Sequence, residues 1–192
     1  MTHTTWTSIW GCFAAILVLT AGCGDDDGTP PAATCTGAGC TCAPVGCSCG
    51  AAGDCTAHCA EGTSCSLSCE ADAKCNLMGE LAITIDCDGT TDCKGNGGDD
   101  SVIVCSESAN CDLKAGARSM ATCSDTSDCK LNLGPDSTVH CTDMASCDVK
   151  CDSGDCEVTC DPGTTCSLNC GPDDAGMAGA TCPDGRLVCG SC

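Results

Sequence analysis

The sequence predicts an all-β fold, a β-solenoid of about 18–20 residues per coil whose coils are crossed by a ladder of disulfides. Cysteine recurs at steps of 20, 20, 18, 18, 18, 18 and 19 residues, at Cys35, Cys55, Cys75, Cys93, Cys111, Cys129, Cys147 and Cys166. The 192-residue chain has 28 cysteines, and its only aromatic residues, Trp6, Trp10 and Phe13, lie near the start. Cross-links must therefore supply part of the stabilisation that large apolar side chains usually supply.

Each coil is predicted to contain two short strands and two turns. When the 18-residue units that begin at Cys75, Cys93, Cys111 and Cys129 are aligned, apolar residues fall in columns two positions from a cysteine. These inward columns are Leu77, Gly95, Leu113 and Leu131, and Ile85, Ile103, Ala121 and Val139. The residues between them point outward and are chemically mixed. A glycine near the middle of each long connection predicts a turn there.

The cysteine spacing predicts which residues are bonded. Two cysteines four apart along a strand, as in Cys65 and Cys69, are about 13 Å apart and cannot bond. A five-residue bend can bring its two ends close enough, so each Cys-x5-Cys unit is paired internally. The predicted pairs are 59–65, 69–75, 87–93, 105–111, 123–129, 141–147 and 160–166, with the shorter 151–156 as a variant. The coils at both ends then have two disulfides, and the middle coils have one.

The domain organisation follows from where this pattern holds. Residues 55–170 are predicted to form about six to seven solenoid coils, residues 35–54 a cysteine-rich N-terminal cap, and residues 171–192 a C-terminal cap. Caps are expected because an exposed strand edge invites further pairing. The alternation of Lys94, Asp112, Lys130 and Asp148 supports vertical stacking, since residues in adjacent coils would lie about 4.8 Å apart.

The bends carry a family resemblance. Cys-Thr-Asp-Met-Ala-Ser-Cys (141–147), Cys-Ser-Asp-Thr-Ser-Asp-Cys (123–129) and Cys-Asp-Gly-Thr-Thr-Asp-Cys (87–93) resemble the repeat of the disulfide-containing insect antifreeze β-helix. The resemblance implies a narrow, cystine-filled right-handed β-helix over roughly residues 55–170. It does not imply ice binding, because that family uses a flat Thr-x-Thr array, and no such array forms here.

The N-terminus predicts export. Residues 9–19 suit the apolar segment of a signal peptide and are too short to span a bilayer. The string Leu-Thr-Ala-Gly-Cys that ends at Cys23 resembles the bacterial lipobox. This resemblance implies that residues 1–22 are removed, that Cys23 is acylated, and that residues 23–34 form a polar tether to the outer membrane or cell surface. The alternative is an ordinary secretory signal and a secreted protein. Either alternative places the chain in an oxidising compartment.

The net charge limits the partners. The chain has 7 Lys and Arg against 27 Asp and Glu, a formal charge of −20. Nucleic acid and anionic lipid headgroups are therefore poor partners, whereas cations and basic surfaces are better ones.

Metal binding is the alternative function class. Cys40, Cys42, Cys47 and Cys49 form two Cys-x-Cys pairs, and Cys189 and Cys192 form a Cys-x-x-Cys pair. These are spacings of thiolate ligands, and a chain poor in aromatic residues resembles metallothionein. The competing interpretation is that these residues form disulfides in the caps. The 26 cysteines that remain without Cys12 and Cys23 are an even number, which favours disulfides.

Calcium binding is a second cation alternative, because 18 residues per coil also matches the calcium-binding β-roll. The Gly-Gly-x-Gly-x-Asp motif of that fold is absent, and Gly97-Gly98-Asp99-Asp100 is the nearest approach. Aspartates on polar bends are expected to be solvated surface residues.

No motif predicts catalysis. His58 and His140 lie 82 residues apart, and neither has a nucleophile motif beside it. The sequence therefore predicts a non-enzymatic protein without a cofactor, which acts as a rigid, acidic structural or interaction module for a partner that no motif identifies.

Overall fold

A computed structural model describes residues 32–50, 53–172 and 176–192. Within them the chain forms strands only, without an α-helix. The strands are β1 (Ala33–Gly37), β2 (Cys40–Ala43), β3 (Gly46–Cys49), β4 (Asp54–Cys59), β5 (Ser66–Cys69), β6 (Lys74–Met78), β7 (Thr84–Cys87), β8 (Asp92–Asn96), β9 (Val102–Cys105), β10 (Asn110–Ala115), β11 (Met120–Cys123), β12 (Asp128–Leu133), β13 (Thr138–Cys141), β14 (Ser146–Cys151), β15 (Cys156–Cys160), β16 (Thr165–Cys170), β17 (Met177–Ala178), β18 (Ala180–Thr181) and β19 (Leu187–Cys189).

The strands form two sheets, and the chain alternates between them. Sheet A has nine strands in the order β1-β4-β6-β8-β10-β12-β14-β16-β17, and sheet B has ten in the order β18-β19-β15-β13-β11-β9-β7-β5-β3-β2. From β3 to β16, neighbouring strands within each sheet are parallel. The predicted fold class is confirmed: the chain is a β-solenoid of about seven coils, each with one strand in each sheet.

The register repeats the cysteine spacing. Cys111 aligns with Cys93 on one side and with Cys129 on the other, so the same position stacks every 18 residues. Near the C-terminal end one step is 19, because Val139 aligns with Val158. Parallel in-register strands place identical side chains directly above one another. The columns of the aligned sequence are therefore columns in space.

The core lies between the two sheets and is narrow. Burial alternates along each strand, so Leu113 and Leu131 from sheet A and Ile85 and Ile103 from sheet B are buried. The adjacent inward position in each strand is a cysteine. Gly95 takes the place of a leucine in its column, where a Cβ atom would collide with the backbone carbonyl oxygen of Leu77. Each coil therefore encloses one bend cystine and small or aliphatic side chains, with Ala115 and Leu133 among the further buried positions, which explains why no aromatic residue is needed.

The first corner of the coil is the five-residue bend between the two cysteines. Glu107, Asp125 and Asp143 occupy the same position in three successive bends, and each has φ between 56 and 59°. Asp is among the residues that tolerate this left-handed conformation best. Backbone hydrogen bonds join each bend to the next, as from Ser124 N–H to the Cys105 carbonyl at 2.9 Å. The polar bends are thus ordered by stacking as well as by disulfides.

Antiparallel strands close both ends of the solenoid. At the N-terminal end β1 pairs with β4, and β2 forms a hairpin with β3. At the C-terminal end β17 pairs with β16, and β19 pairs with β15 and β18. Strand β1 begins at Ala33, two residues before the expected start of the cap, and the expected cap boundary at residue 54 falls at the first residue of β4. The first coil therefore includes β3, which stacks in parallel on β5.

Candidate functional site

A column of seven disulfides runs along the first corner, one per coil. The bonded pairs are Cys49–Cys55, Cys69–Cys75, Cys87–Cys93, Cys105–Cys111, Cys123–Cys129, Cys141–Cys147 and Cys160–Cys166. Their Cα atoms are 5.9–6.7 Å apart, within the range that a disulfide spans. Six of these pairs are among the predicted pairs, and Cys49–Cys55 is a seventh that was not predicted.

The second corner has disulfides only near its ends. Cys59–Cys65 lies at the N-terminal end, and Cys151–Cys156 lies at the C-terminal end. Both are pairs that the spacing predicts. Cys42–Cys47 instead joins β2 to β3 within their hairpin in sheet B. Of the four coils between Cys59–Cys65 and Cys151–Cys156, the first has Ile83 at this corner and the other three have a buried serine hydroxyl.

These hydroxyl groups belong to Ser101, Ser119 and Ser137, which are stacked and almost fully buried. Each donates a hydrogen bond to a glycine carbonyl three residues earlier, at 2.8–2.9 Å. Each also accepts one from a backbone N–H in the preceding coil: Ile83 to Ser101, Ser101 to Ser119, and Ser119 to Ser137, at 3.1–3.2 Å. Every buried hydroxyl therefore joins two turns. Small polar residues are needed here because the corner is tight.

Sequence reasoning missed two features of these corners. The bend that closes Cys49–Cys55 has the same Cys-x5-Cys spacing as the others, but the dense run of cysteines before it places Cys49 in the predicted N-terminal cap and Cys55 in the predicted solenoid. The stacked serines Ser101, Ser119 and Ser137, which we call the serine ladder, also leave a pattern in the sequence, because they recur every 18 residues. Serine is common in turns, so this period is visible only once the coil length is known.

The cap cysteines form further disulfides. Cys35 bonds Cys40, Cys170 bonds Cys189, and Cys182 bonds Cys192. All 26 cysteines from Cys35 onward are therefore oxidised in this structure. So many disulfides indicate an oxidising environment.

The candidate metal ligands are brought together only in part. The sulfur atoms of Cys35, Cys42 and Cys47 lie within 4.8 Å of one another, as do those of Cys40, Cys49 and Cys55. Three similar groups lie along the first corner: Cys87 with Cys105 and Cys111, Cys105 with Cys123 and Cys129, and Cys141 with Cys147 and Cys166. Every one of these sulfur atoms is bonded to another sulfur atom and so is not a thiolate. Cys189 and Cys192 belong to two different disulfides and do not form such a group.

The candidate calcium residues Asp99 and Asp100 are paired with the guanidinium group of Arg118. Asp100 accepts hydrogen bonds from the Arg118 guanidinium at 2.7 and 2.9 Å, and Asp99 lies 3.6 Å from the same group. The hydrogen bond from Arg118 lowers the pKa of Asp100. Asp99 also accepts from the Ala117 N–H at 2.9 Å. These carboxylates join two coils of the second corner to each other.

The two histidines are not brought together. His58 lies in β4 of sheet A, whereas His140 lies in β13 of sheet B, where its Nε2 is 3.6 Å from Asp161. Around His140, the exposed face of sheet B has Val102, Met120 and Thr138. The acidic Asp86 on this face has a raised pKa, mainly because of its partial burial and also because of Asp88 and Glu70.

The exposed face of sheet A has a different composition. All five lysines of the chain lie on it, together with five aspartates: Lys74, Lys94, Lys114, Lys130 and Lys150, and Asp54, Asp92, Asp112, Asp128 and Asp148. Their formal charges cancel, so the whole charge of −20 lies elsewhere on the chain. Between the lysines is a shallow depression of about 320 Å³, lined by Asn132 among others. An acidic partner that the rest of the chain would repel is therefore better suited to this face.

The predicted signal peptide, the acylated Cys23 and most of the tether lie outside the described residues. A search of the described part for a helix long and apolar enough to cross a bilayer finds none. Comparisons with protein-family models, with curated proteins and with solved structures give no match to this chain.

Proposed function

We propose that this chain is an exported, lipid-anchored protein of the bacterial envelope that acts as a rigid structural or interaction module without catalytic activity. One observation carries the proposal: every cysteine from Cys35 to Cys192 is paired within the fold. Such a fold is compatible with a structural module that works in an oxidising compartment. Its interior is filled by cystines, aliphatic residues and a few buried hydroxyl groups.

The anchor is part of this proposal. Eight residues lie between Cys23 and Ala32, the first residue that the structure describes. Fully extended, such a tether reaches roughly 30 Å. Acylation of Cys23 would thus hold the solenoid close to the bilayer, but with enough freedom to meet a partner. A single acyl chain binds weakly, and two chains hold a protein stably.

The experiment that tests the anchor is expression of the full chain in a bacterial host with labelled palmitate. The wild-type chain should incorporate label and sediment with membranes. A Cys23→Ser variant should do neither, whereas a Cys12→Ser variant, whose cysteine lies inside the predicted signal, should behave as wild type. Label in the Cys23→Ser chain, or an unlabelled wild-type chain in the soluble fraction, would refute lipid anchoring and favour simple secretion.

A second candidate function is thiolate metal binding, favoured by the five groups of neighbouring sulfur atoms. It requires reduction of the disulfides that now join those atoms. Free-thiol titration and metal analysis of the purified protein separate the two functions. No thiols and no bound metal support the structural module. Many thiols with stoichiometric zinc or copper support metal binding instead.

A further inference from the structure

The outward residues of β8, β10, β12 and β14, which we call the charged face, form three columns with a two-coil alternation. The central column is Lys94, Asp112, Lys130 and Asp148. The columns on either side of it are Asn96, Lys114, Asn132 and Lys150, and Asp92, Asn110, Asp128 and Ser146. Coils with the outward pattern Asp-x-Lys-x-Asn therefore alternate with coils in which the Asp and the Lys are each shifted by one column, which is two residues along the strand. The pattern repeats every 36 residues.

The lysines of the central column keep capacity for a partner. Lys94 and Lys130 are exposed, and neither has an ion pair within 4.0 Å among the described residues. Asp112 and Asp148, their vertical neighbours, are exposed as well. Neighbouring positions of the column are about 4.8 Å apart, which gives attraction between the coils but leaves the charged ends free.

The order of charges is self-complementary in only one orientation. If two copies packed face to face around a two-fold axis along the solenoid, each central residue would face its own copy, so Lys94 would oppose Lys94. If the axis runs along the strands instead, the coil order of the second copy is reversed. With this axis between Asp112 and Lys130, Lys94 faces Asp148 and Asp112 faces Lys130. The symmetry then makes four ion pairs and no like-charge pair in the central column.

The side columns fit the same register. Lys114 faces Asn132, and Asn96 faces Lys150, so no like charges meet in this column. In the third column Asp92 faces Ser146 and Asn110 faces Asp128, and here too no like charges meet.

We propose that the charged face is a homodimer interface, on which a second copy of this chain packs antiparallel with its two-fold axis between the coils of Asp112 and Lys130. This names the partner of the proposed interaction module and rests on that proposed function. Charge selects this occupant: a copy that presented its acidic corners or caps would bring like charge against Asp112 and Asp148, and the outward face of sheet B has no lysine to pair with them.

The charged face is the central part of sheet A, and the size of the whole sheet sets the strength. The seven coils of this sheet, with strands of five to six residues from β4 to β16, present roughly 600 Å² per copy, or about 1,200 Å² in the dimer. This is the lower limit for specific interfaces, so we expect reversible association with a Kd on the order of 10 µM. Because exposed ion pairs are screened, the Kd should rise at least tenfold as the salt concentration rises from about 0.01 M to about 1 M.

The test is sedimentation velocity of the full exported chain over a range of concentrations at low salt. Wild type should dimerise. K94D/K130D makes the central column entirely acidic and should raise the Kd by about 100-fold or more, as should D112K/D148K, which makes it entirely basic. An equimolar mixture of these two variants should form heterodimers. The fourfold variant K94D/D112K/K130D/D148K restores the alternation within each chain and should dimerise like wild type.

Two further measurements fix the interpretation. T84D/T138D, which adds negative charge to the opposite sheet, is the control and should leave the Kd unchanged. Non-reducing peptide maps of all variants should match wild type, which excludes misfolding. A zero-length carbodiimide cross-link between Lys94 and Asp148 reports the register, because within one chain these residues lie three coils, or about 14 Å, apart.

A wild-type chain that stays monomeric at low salt overturns the proposal, and so does a K94D/K130D variant that still dimerises. Dimerisation that the fourfold exchange abolishes also overturns it, because that exchange keeps the alternation on which the antiparallel register depends. Failure here is distinguishable from failure of the anchor, because labelling at Cys23 does not depend on the charged face.

Discussion

At the scale of single residues, the fold depends on side chains that join one coil to the next. The buried serines of the second corner are the clearest case, since each has a donor and an acceptor in different turns. On the exposed surface, the ion pair between Arg118 and Asp100 likewise joins two neighbouring coils. Such contacts repeat because the coil repeats, so one residue type solves the same local problem several times.

We predict that Ser119→Ala lowers the free energy of unfolding by about 1–3 kcal/mol, because it leaves the buried Ser101 N–H without an acceptor. Ser108→Ala is the matched control, since the Ser108 hydroxyl is exposed and bonds only the Thr126 hydroxyl. The measurement is denaturant-induced unfolding with the disulfides intact. Equal effects of the two substitutions would show that the ladder has no special role.

Asp86 gives a prediction about pH. Its pKa in the folded chain is above the ordinary value of 3.8, mainly because of burial, so the folded state binds this proton more tightly than the unfolded state does. Stability is therefore lost as the pH rises above 3.8 through the folded pKa. Asp86→Asn should raise the melting temperature near pH 7, and the difference should vanish below pH 3.8. Glu61→Gln, an exposed change of the same charge, is the control and should show a smaller shift at pH 7.

At the scale of the element, the coil is a pair of strands that cannot bury its inner face alone. Stacking of neighbouring coils creates the core. Within each coil the bend disulfide fixes the distance between the two strands, and the cystine and the buried aliphatic side chains fill the space between them. The middle coils combine one disulfide with a serine turn, whereas coils near the ends have disulfides at both corners. The ends have a neighbour on only one side, which accounts for the extra cross-links.

We predict that the double variant Cys105→Ala and Cys111→Ala loses about 2 kcal/mol from the release of a small loop, with a further loss from the cavity that two fully buried sulfur atoms leave. Cys59→Ala with Cys65→Ala opens a loop of the same length at the second corner, where burial is less complete. Thermal unfolding of both variants should therefore show a larger loss for 105/111. A larger loss for 59/65 would indicate that the disulfides near the ends control stability.

At the scale of the whole molecule, the solenoid is a rod with two unlike faces. Sheet A presents a balanced lattice of lysines and aspartates, whereas the two corners and the caps hold nearly all of the excess acidic residues. A net charge of this size keeps separate molecules apart in solution. Association through the charged face would therefore be specific in orientation, because its alternating charges match those of an antiparallel second copy while the acidic corners and caps repel one another.

Reduction is the test at this scale. We predict that a mild reductant lowers the melting temperature and removes the β-sheet signal in circular dichroism, because 13 disulfides replace the large apolar core that a chain of this length normally has. The control is the same protein in the oxidised form of the reagent. An unchanged spectrum with all thiols titratable would show that packing alone holds the coils.

The regular part of the fold could be predicted from the sequence because it is a local pattern repeated many times. Period-two burial placed Leu113 and Ile103 inside, and the reach of a five-residue bend identified partners such as Cys123 and Cys129. Stacking then follows from the equal coil length. The outward columns, including Lys94 and Asp112, are set by the same register.

Only the tertiary structure decided the parts where the repeat ends. The bonds Cys35–Cys40 and Cys170–Cys189 each join a strand of sheet A to a strand of sheet B, and Cys182–Cys192 joins two residues outside the strands. Several cysteines of the caps lie so close to one another in sequence that spacing cannot choose between them. Likewise Ser119 shows its function only when Ser101 lies above it. In a periodic chain every repeat encodes the same coil, so the coil can be read from the sequence. The ends and the contacts between turns form only when the coils are stacked, and they therefore depend on the complete fold.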